Sequence, residues 1–172
     1  MITALWLLAA QGALGAFDTV WYHEWRARLP RGGPVAAREL RLHAARDFLY
    51  AAIFATLPRI EWRGTWTTVF VVILAAEIVI TLTDFVVETY DRHVEAGERV
   101  THALMAILYG AMLAMLIPVL ARWSMRPTGF ARSTAAVPAW LTMAMTLMAA
   151  GVFLSGIRDL MAVKSRHTPL GK

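Results

Sequence analysis

The sequence predicts an all-α integral membrane protein, a single domain over residues 1–172 with about five transmembrane helices. Hydrophobic residues make up 58% of the chain and charged residues only 17%, which is too little charge to cover a soluble globule of this length. The chain contains no cysteine, which excludes disulfides, thiolate ligands and iron–sulfur clusters. The apolar residues fall into stretches near the roughly 20 residues that a helix needs to cross a bilayer. The five predicted spans are residues 2–25, 35–57, 65–90, 99–121 and 135–160.

The first four spans are predicted to pair into two helical hairpins, over residues 2–57 and 65–121. The N-terminal stretch resembles a signal peptide, but no Lys or Arg precedes it and its apolar run continues to Trp25, so we expect a retained helix. The fifth span is apolar and is predicted to be a peripheral packing helix. Its Gly151 and Gly156 permit close approach of a neighbouring helix, which makes it the candidate surface for a homo-oligomer.

Positive charge is distributed unequally between the two sides of the predicted membrane. If five spans alternate, twelve of the seventeen Lys and Arg residues lie on the side that holds the loops 26–46 and 91–99 and the C-terminal tail. Cytoplasmic loops carry the excess of Lys and Arg. The sequence therefore predicts an N-terminus outside and a C-terminus in the cytoplasm, in a membrane such as the bacterial inner membrane.

The net charge of +5 belongs to loops between spans. We therefore expect the lipid bilayer, and anionic lipid headgroups in particular, as partners of the basic residues, and no nucleic acid. The basic loop 25–34, WRARLPRGGP, is the segment best suited to gather such headgroups or an anionic substrate.

Ionisable residues on four spans are predicted to share one depth near the cytoplasmic face. Such residues are costly inside a membrane and mark a functional site by default. They are Asp18 on the first span, Glu39, His43, Arg46 and Asp47 on the second, Asp84 and Glu88 on the third, and Glu98 and His102 on the fourth. Glu77 stands apart, about 16 Å from Glu88 along the helix.

A short pattern, Glu-x-x-x-His followed by Tyr seven residues after the histidine, occurs twice. ELRLH at 39–43 leads to Tyr50, and ERVTH at 98–102 leads to Tyr109. On a helix this spacing places carboxylate and imidazole one turn apart on one face, so both can reach one ligand. The span before each pattern carries an aspartate, in Asp18-Thr-Val and in Asp84-Phe-Val. This similarity favours two hairpins related by a pseudo-two-fold axis along the membrane normal.

Four acids at one depth in a low dielectric need compensation, because like charges a few ångströms apart repel by several kcal/mol, roughly, at an effective dielectric near 20. Two divalent metal ions balance Asp18, Glu39, Glu98 and one of Asp84 and Glu88. His43 and His102 then complete the predicted ligand set. Carboxylate and imidazole ligands suit iron, manganese and zinc alike.

This pattern resembles the ferritin-like di-iron and di-manganese carboxylate four-helix proteins, in which two helices each give a carboxylate and two give a carboxylate plus a histidine. The present chain has Glu-x-x-x-His where that family has Glu-x-x-His, which moves the histidine by about 100° around the helix and implies a different coordination geometry. The first class of protein that fits these residues is a membrane metalloenzyme, a metal-dependent oxidoreductase or hydrolase acting on a lipid-soluble substrate that enters between helices. Tyr50, Tyr109 and Arg46 are then the candidate residues that support the ligands.

Two other classes of protein fit the same residues. A metal-transporting protein would use Glu77 as part of a polar path from the outer half of the membrane. A structural membrane protein would neutralise its acids with buried ion pairs, for example Arg46 with Asp84 or Glu88. On the metal-site hypothesis, Asp91, Arg92, His93 and Glu95 are expected to be a solvated loop. His23, His93 and His167 are expected to be isolated histidines.

Overall fold

The computed structural model describes residues 1–29 and 36–165, and its helical content of 82% confirms the all-α class. Part of the basic loop 25–34 and the C-terminal tail lie outside the described residues, including Arg31, Arg166, His167 and Lys172 of the sequence-based predictions. The five helices are α1 (Ile2–Asp18), α2 (Ala36–Thr56), α3 (Thr65–Asp91), α4 (Ala96–Ser124) and α5 (Ala139–Ser165).

Among the described residues, three helices are long and apolar enough to cross a membrane, namely α3, α4 and α5. α1 stops after 17 residues at Asp18, and α2 carries charged residues in its first half, such as Glu39, Arg41 and Arg46. The exposed side chains of the three long helices include Val72, Ile107 and Leu147, which are 60%, 68% and 69% accessible and suit a lipid environment.

Helices of the first predicted hairpin pack on helices of the second. α1 packs mainly on α4, α2 packs on α3 and on α5, and α3 also touches α4. Gly156 of α5 meets the Ala44 carbonyl and the side chains of Asp47 and Phe48 on α2, so this glycine serves close packing inside the chain, while Gly151 faces open space. α1 and α2 therefore each meet a helix of the other hairpin.

The connection from α1 towards α2 begins with a π-helical segment, Thr19–Arg26. Its hydrogen bonds close from residue i to i+5, as in the bond from the Ala27 amide to the Tyr22 carbonyl at 2.7 Å. Asp18 and His23 are five residues apart, which is about 140° around an ordinary α-helix, but five residues make roughly one turn, or a little more, of a π-helix. The segment thus turns His23 to the face that Asp18 occupies.

At the opposite end of the bundle, two short strands that the sequence did not predict form an antiparallel pair. β1 (Ile60–Arg63) pairs with β2 (Gly129–Arg132), with Ile60 opposite Arg132 and Arg63 opposite Gly129. An apolar core fills the bundle beside the strands, with Leu5, Leu8, Phe54, Phe70 and Leu116 at most 1% exposed.

Glu61 of β1 ties this end together. Its carboxylate accepts hydrogen bonds from the Arg63 guanidinium at 2.8 Å and from the Thr134 hydroxyl and amide at 2.8 and 3.2 Å. Burial raises the pKa of Glu61, but these hydrogen bonds outweigh it and hold the pKa below its ordinary value of 4.5. The carboxylate therefore stays charged and joins the two loops at neutral pH.

Candidate metal centre

Eight ionisable side chains from four helices and the π-helical segment meet at the end of the bundle away from the strands. All are buried, with at most 7% of each residue exposed. They lie where α1 ends, in the first half of α2, in the last turns of α3 and in the first turns of α4. The eight residues, which we call the ionic cluster, are Asp18, His23, Glu39, His43, Asp84, Glu88, Glu98 and His102.

The first ligand group joins Asp18, His23, Glu98 and His102, whose ligand atoms all lie within 4.8 Å of one another. His23 Nε2 is 3.3 Å from Asp18 Oδ2 and 3.2 Å from Glu98 Oε1. His102 Nε2 approaches the same Asp18 oxygen at 3.3 Å. Two carboxylates and two imidazoles therefore offer donor atoms to one small volume.

The second ligand group joins His23, Glu39 and His43 within the same limit of 4.8 Å. The rings of His23 and His43 stack with centroids 4.6 Å apart and planes 9° apart. His43 Nε2 lies 3.9 Å from Glu39 Oε1 on the preceding turn, the pairing that the Glu-x-x-x-His spacing predicts. His23 belongs to both groups, so the two positions are adjacent.

Asp84 and Glu88 of α3 stand behind the histidines. Glu88 Oε1 is 3.2 Å from His102 Nδ1, the ring nitrogen on the side away from Asp18. Asp84 Oδ2 is 3.0 Å from His43 Nε2. A carboxylate on the second ring nitrogen is how proteins commonly fix the tautomer and orientation of a metal-binding histidine. Glu88 holds this position towards His102, and neither acid belongs to the two ligand groups above.

Two arginines compensate part of the negative charge. Arg46 Nη1 donates to Asp84 Oδ2 at 3.2 Å, the contact that the ion-pair alternative requires. Arg92 was predicted to be part of a solvated loop, and that prediction is wrong because its side chain is only 15% exposed. Its Nη2 lies 2.6 Å from Glu98, 3.1 Å from Glu39 and 3.4 Å from Glu88.

Arg92 reaches the ionic cluster from the short connection between α3 and α4. α3 ends at Asp91, so Arg92 is the first residue after it and folds back over the opening of the cluster. Burial lowers the pKa of Arg92, but hydrogen bonds to Glu98 and Glu39 outweigh it and raise the pKa above its ordinary value. Its guanidinium is a permanent cation that joins carboxylates from three helices. Of its neighbours in the predicted loop, His93 is exposed, as expected, while Asp91 and Glu95 are half-buried.

Several buried polar atoms of the ionic cluster make no hydrogen bond. They are Asp18 Oδ1, Asp84 Oδ1, His23 Nε2 and His43 Nε2. The two imidazole nitrogens lie close to carboxylates, yet not in hydrogen-bonding geometry. Buried polar atoms without partners are rare in folded proteins, and an ion or a ligand is one of their ordinary explanations.

The tyrosines of the repeated pattern lie in a second polar group rather than among the ligands. Tyr50 and Tyr109 pack edge to face with ring centroids 6.2 Å apart. Gln11 donates to the Tyr50 hydroxyl at 3.3 Å, and Thr81 donates to Glu77 Oε1 at 2.7 Å. Glu77 Oε2, the Tyr109 hydroxyl and Gln11 Oε1 make no hydrogen bond, so this buried polar group is only partly satisfied.

The structure brings the seven residues proposed as ligands into one cluster with His23. The two ligand groups contain neither Asp84 nor Glu88, one of which was predicted to be a ligand. His23 was predicted to be an isolated histidine, and that prediction is wrong because the π-helical segment turns its ring towards Asp18 and Glu98. Arg92 was missed because a charged residue in a short polar connection ordinarily lies in solvent. A signal for His23 is its place in the run TVWYHEWR, five residues after an acid already assigned to the site.

The fold and the site define a helical protein with three candidate membrane helices and buried His, Asp and Glu groups able to hold a metal ion. No family model matches the chain, and no curated protein and no solved structure matches it either. Its function is therefore inferred from the chemistry of these residues.

Proposed function

We propose that this chain is an integral membrane metalloprotein that binds two divalent ions in adjacent positions of the ionic cluster. Asp18, His23, Glu98 and His102 form one position, and His23, Glu39 and His43 form the other. The observation that carries the proposal is the pair of buried ligand groups that share His23, with the Nε2 atoms of His23 and His43 left without hydrogen bonds.

Charge balance supports cations at this site. The five carboxylates of the ionic cluster face two guanidinium groups, which leaves an excess of three negative charges when the three histidines are neutral. Uncompensated charge in a buried site is strongly unfavourable. Two divalent ions together with Arg46 neutralise the five carboxylates if Arg92 swings out to solvent. Three protonated histidines would also neutralise them, and that is the ion-pair alternative.

The donor set favours iron, manganese or zinc, since it mixes carboxylate oxygens with imidazole nitrogens and holds no sulfur. Within this class we propose an enzyme, a metal-dependent oxidoreductase or hydrolase, in preference to a transporter. Glu77 favours this choice because its carboxyl accepts a hydrogen bond from the neutral Thr81 and belongs to neither of the two ligand groups.

The proposed topology has five spans, with α1 and α2 completing a bundle whose other members are the three apolar helices. The ionic cluster then lies near the cytoplasmic face, with the N-terminus outside, as the distribution of Lys and Arg predicts. The membrane is proposed to be a bacterial inner membrane, and a lipid-soluble substrate and anionic headgroups remain proposed partners.

Elemental analysis of detergent-purified protein, before and after anaerobic reconstitution with Fe²⁺, Mn²⁺ or Zn²⁺, tests the proposal. We expect about two ions per chain and a rise in thermal midpoint on loading, because a ligand that binds only the folded state stabilises it. His102→Ala and His43→Ala should each lower metal content and the thermal midpoint together.

His93→Ala is the matched control, because His93 is exposed in the connection between α3 and α4. It should retain full metal content. Wild-type protein that binds none of the three ions would refute the metal proposal and leave the ion-pair alternative. Full occupancy in both His43→Ala and His102→Ala would show that the ions lie elsewhere.

A further inference from the structure

A small polar cavity adjoins the ionic cluster on its α5 side. Its volume is about 10 Å³, which is close to the smallest space that holds one water molecule. The polar residues that line it are Thr19 and His23 of the π-helical segment, His43, Arg46 and Asp47 of α2, and Ser155, Arg158 and Asp159 of α5. The cavity thus touches both imidazoles that lack hydrogen bonds at Nε2.

Several residues around the cavity are paired. Asp159 is 2% exposed and accepts from Arg158 at 2.9 Å, and Arg158 also pairs with Glu24. Arg158 donates to the Ser155 hydroxyl at 3.4 Å. These contacts connect α5 to the π-helical segment, and they give the cavity a polar lining next to the proposed ions.

Metal sites that only stabilise a fold are closed by protein ligands, whereas catalytic sites keep one position open for water or substrate. We propose that this cavity holds an exchangeable water ligand of the metal centre, on the side of His23 and His43. The inference rests on the proposed function and narrows it, because it assigns water as the small co-reactant and places its access between α2 and α5. A lipid-soluble substrate is too large for this route and must approach from another side.

Water-proton relaxation tests the inference directly. Paramagnetic Mn²⁺ accelerates the relaxation of bulk water most strongly when it carries an exchanging water ligand. The wild-type protein loaded with Mn²⁺ should therefore show enhanced relaxation, and fluoride, which displaces metal-bound water, should lower it.

Ser155→Leu places a larger apolar side chain at the cavity wall and should abolish the enhancement while metal content stays at the wild-type level. Ser165→Leu is the matched control, the same substitution on the same helix at an exposed position, and it should keep the enhancement. If Ser155→Leu fails to load Mn²⁺, Thr19→Leu blocks the cavity from the opposite wall and is expected to give the same loss.

The outcomes separate this inference from the proposed function. Wild-type protein that holds Mn²⁺ but shows neither enhancement nor a response to fluoride would overturn the open position and leave the metal centre standing. Enhancement that persists in a loaded Ser155→Leu or Thr19→Leu variant would overturn this cavity as the place of the water. Failure of the wild type to hold Mn²⁺, Fe²⁺ or Zn²⁺ would instead refute the proposed function itself.

Discussion

Arg92→Gln separates a metal centre from a purely ionic one, because the two alternatives predict opposite roles for this guanidinium. In the metal-free protein Arg92 joins Glu39, Glu88 and Glu98. If the ionic cluster binds metal ions, the Arg92 guanidinium neutralises some of the same carboxylates and repels the cations, so it opposes their binding. Glutamine keeps a polar side chain but is shorter and carries no charge, so the variant should be less stable without metal and bind metal more tightly.

The size of both effects follows from the contacts. Removing one partner of a buried ion pair typically costs about 3–5 kcal/mol. Arg92 is 15% exposed and pairs with three carboxylates that retain their other neighbours, so we expect about 2–3 kcal/mol of destabilisation in the metal-free protein. A unit charge about 4 Å from a divalent ion contributes roughly 8 kcal/mol at an effective dielectric of 20, twice the value for two unit charges. Arg92 can turn towards solvent and so relieve most of this repulsion. We therefore expect the substitution to strengthen metal binding by about 1.4 kcal/mol, which is roughly a tenfold lower Kd.

The assay combines thermal unfolding in detergent with competitive Zn²⁺ titration against a chromophoric chelator. Arg99→Gln is the control, since Arg99 is exposed one turn into α4. It should change neither the thermal midpoint nor the Kd measurably. A metal-free Arg92→Gln protein that is destabilised and regains its midpoint with Zn²⁺ supports the reasoning. Weaker Zn²⁺ binding in Arg92→Gln than in wild type would refute it.

Three further predictions concern residues with different surroundings. His23→Ala should empty both positions, since His23 belongs to both ligand groups, and elemental analysis that finds full metal content would contradict the shared role. Glu77→Gln should keep both ions and lose about 1 kcal/mol of stability or less; loss of metal in this variant would move the centre towards the middle of the bundle. Glu61 has a lowered pKa, so it stabilises the fold above about pH 4.5 and this contribution is lost as acid protonates it. The thermal midpoint of wild type should therefore fall more steeply below that pH than that of Glu61→Gln, and parallel pH profiles would show that Glu61 contributes nothing.

The positions of Glu39, His43, Glu98 and His102 could be expected from the sequence because they depend on α-helical spacing alone. A carboxylate and an imidazole four residues apart share a face wherever the helix is regular. The depth of Asp18, Asp84 and Glu88 followed from their distance to the ends of apolar stretches. Side-chain positions that depend only on nearby residues could therefore be predicted from the sequence.

His23 and Arg92 depend on features that the residue pattern does not display. The π-helical segment changes the angular spacing between Asp18 and His23, and no residue in TVWYHEWR requires that conformation. Arg92 folds back on the ionic cluster because carboxylates of three helices converge there, which is a property of the assembled bundle. The strand pair β1–β2 likewise joins segments far apart in the chain. Helix α5 was expected to be peripheral, but its contact with α2 builds a wall of the cavity beside His23.

The two ends of the bundle draw their stability from different sources. At the strand end, apolar side chains such as Leu8, Phe54 and Leu116 are fully buried. Close packing of such side chains stabilises helix contacts in a membrane, where lipid tails are as apolar as the residues themselves. At the site end, ion pairs replace this packing, and a buried ion pair gains little over the cost of desolvating its charges. The apolar end can therefore hold the helices together while the ionic end contributes little stability of its own. On the proposed function, a bound cation would supply at the ionic end the stabilisation that packing supplies at the other end.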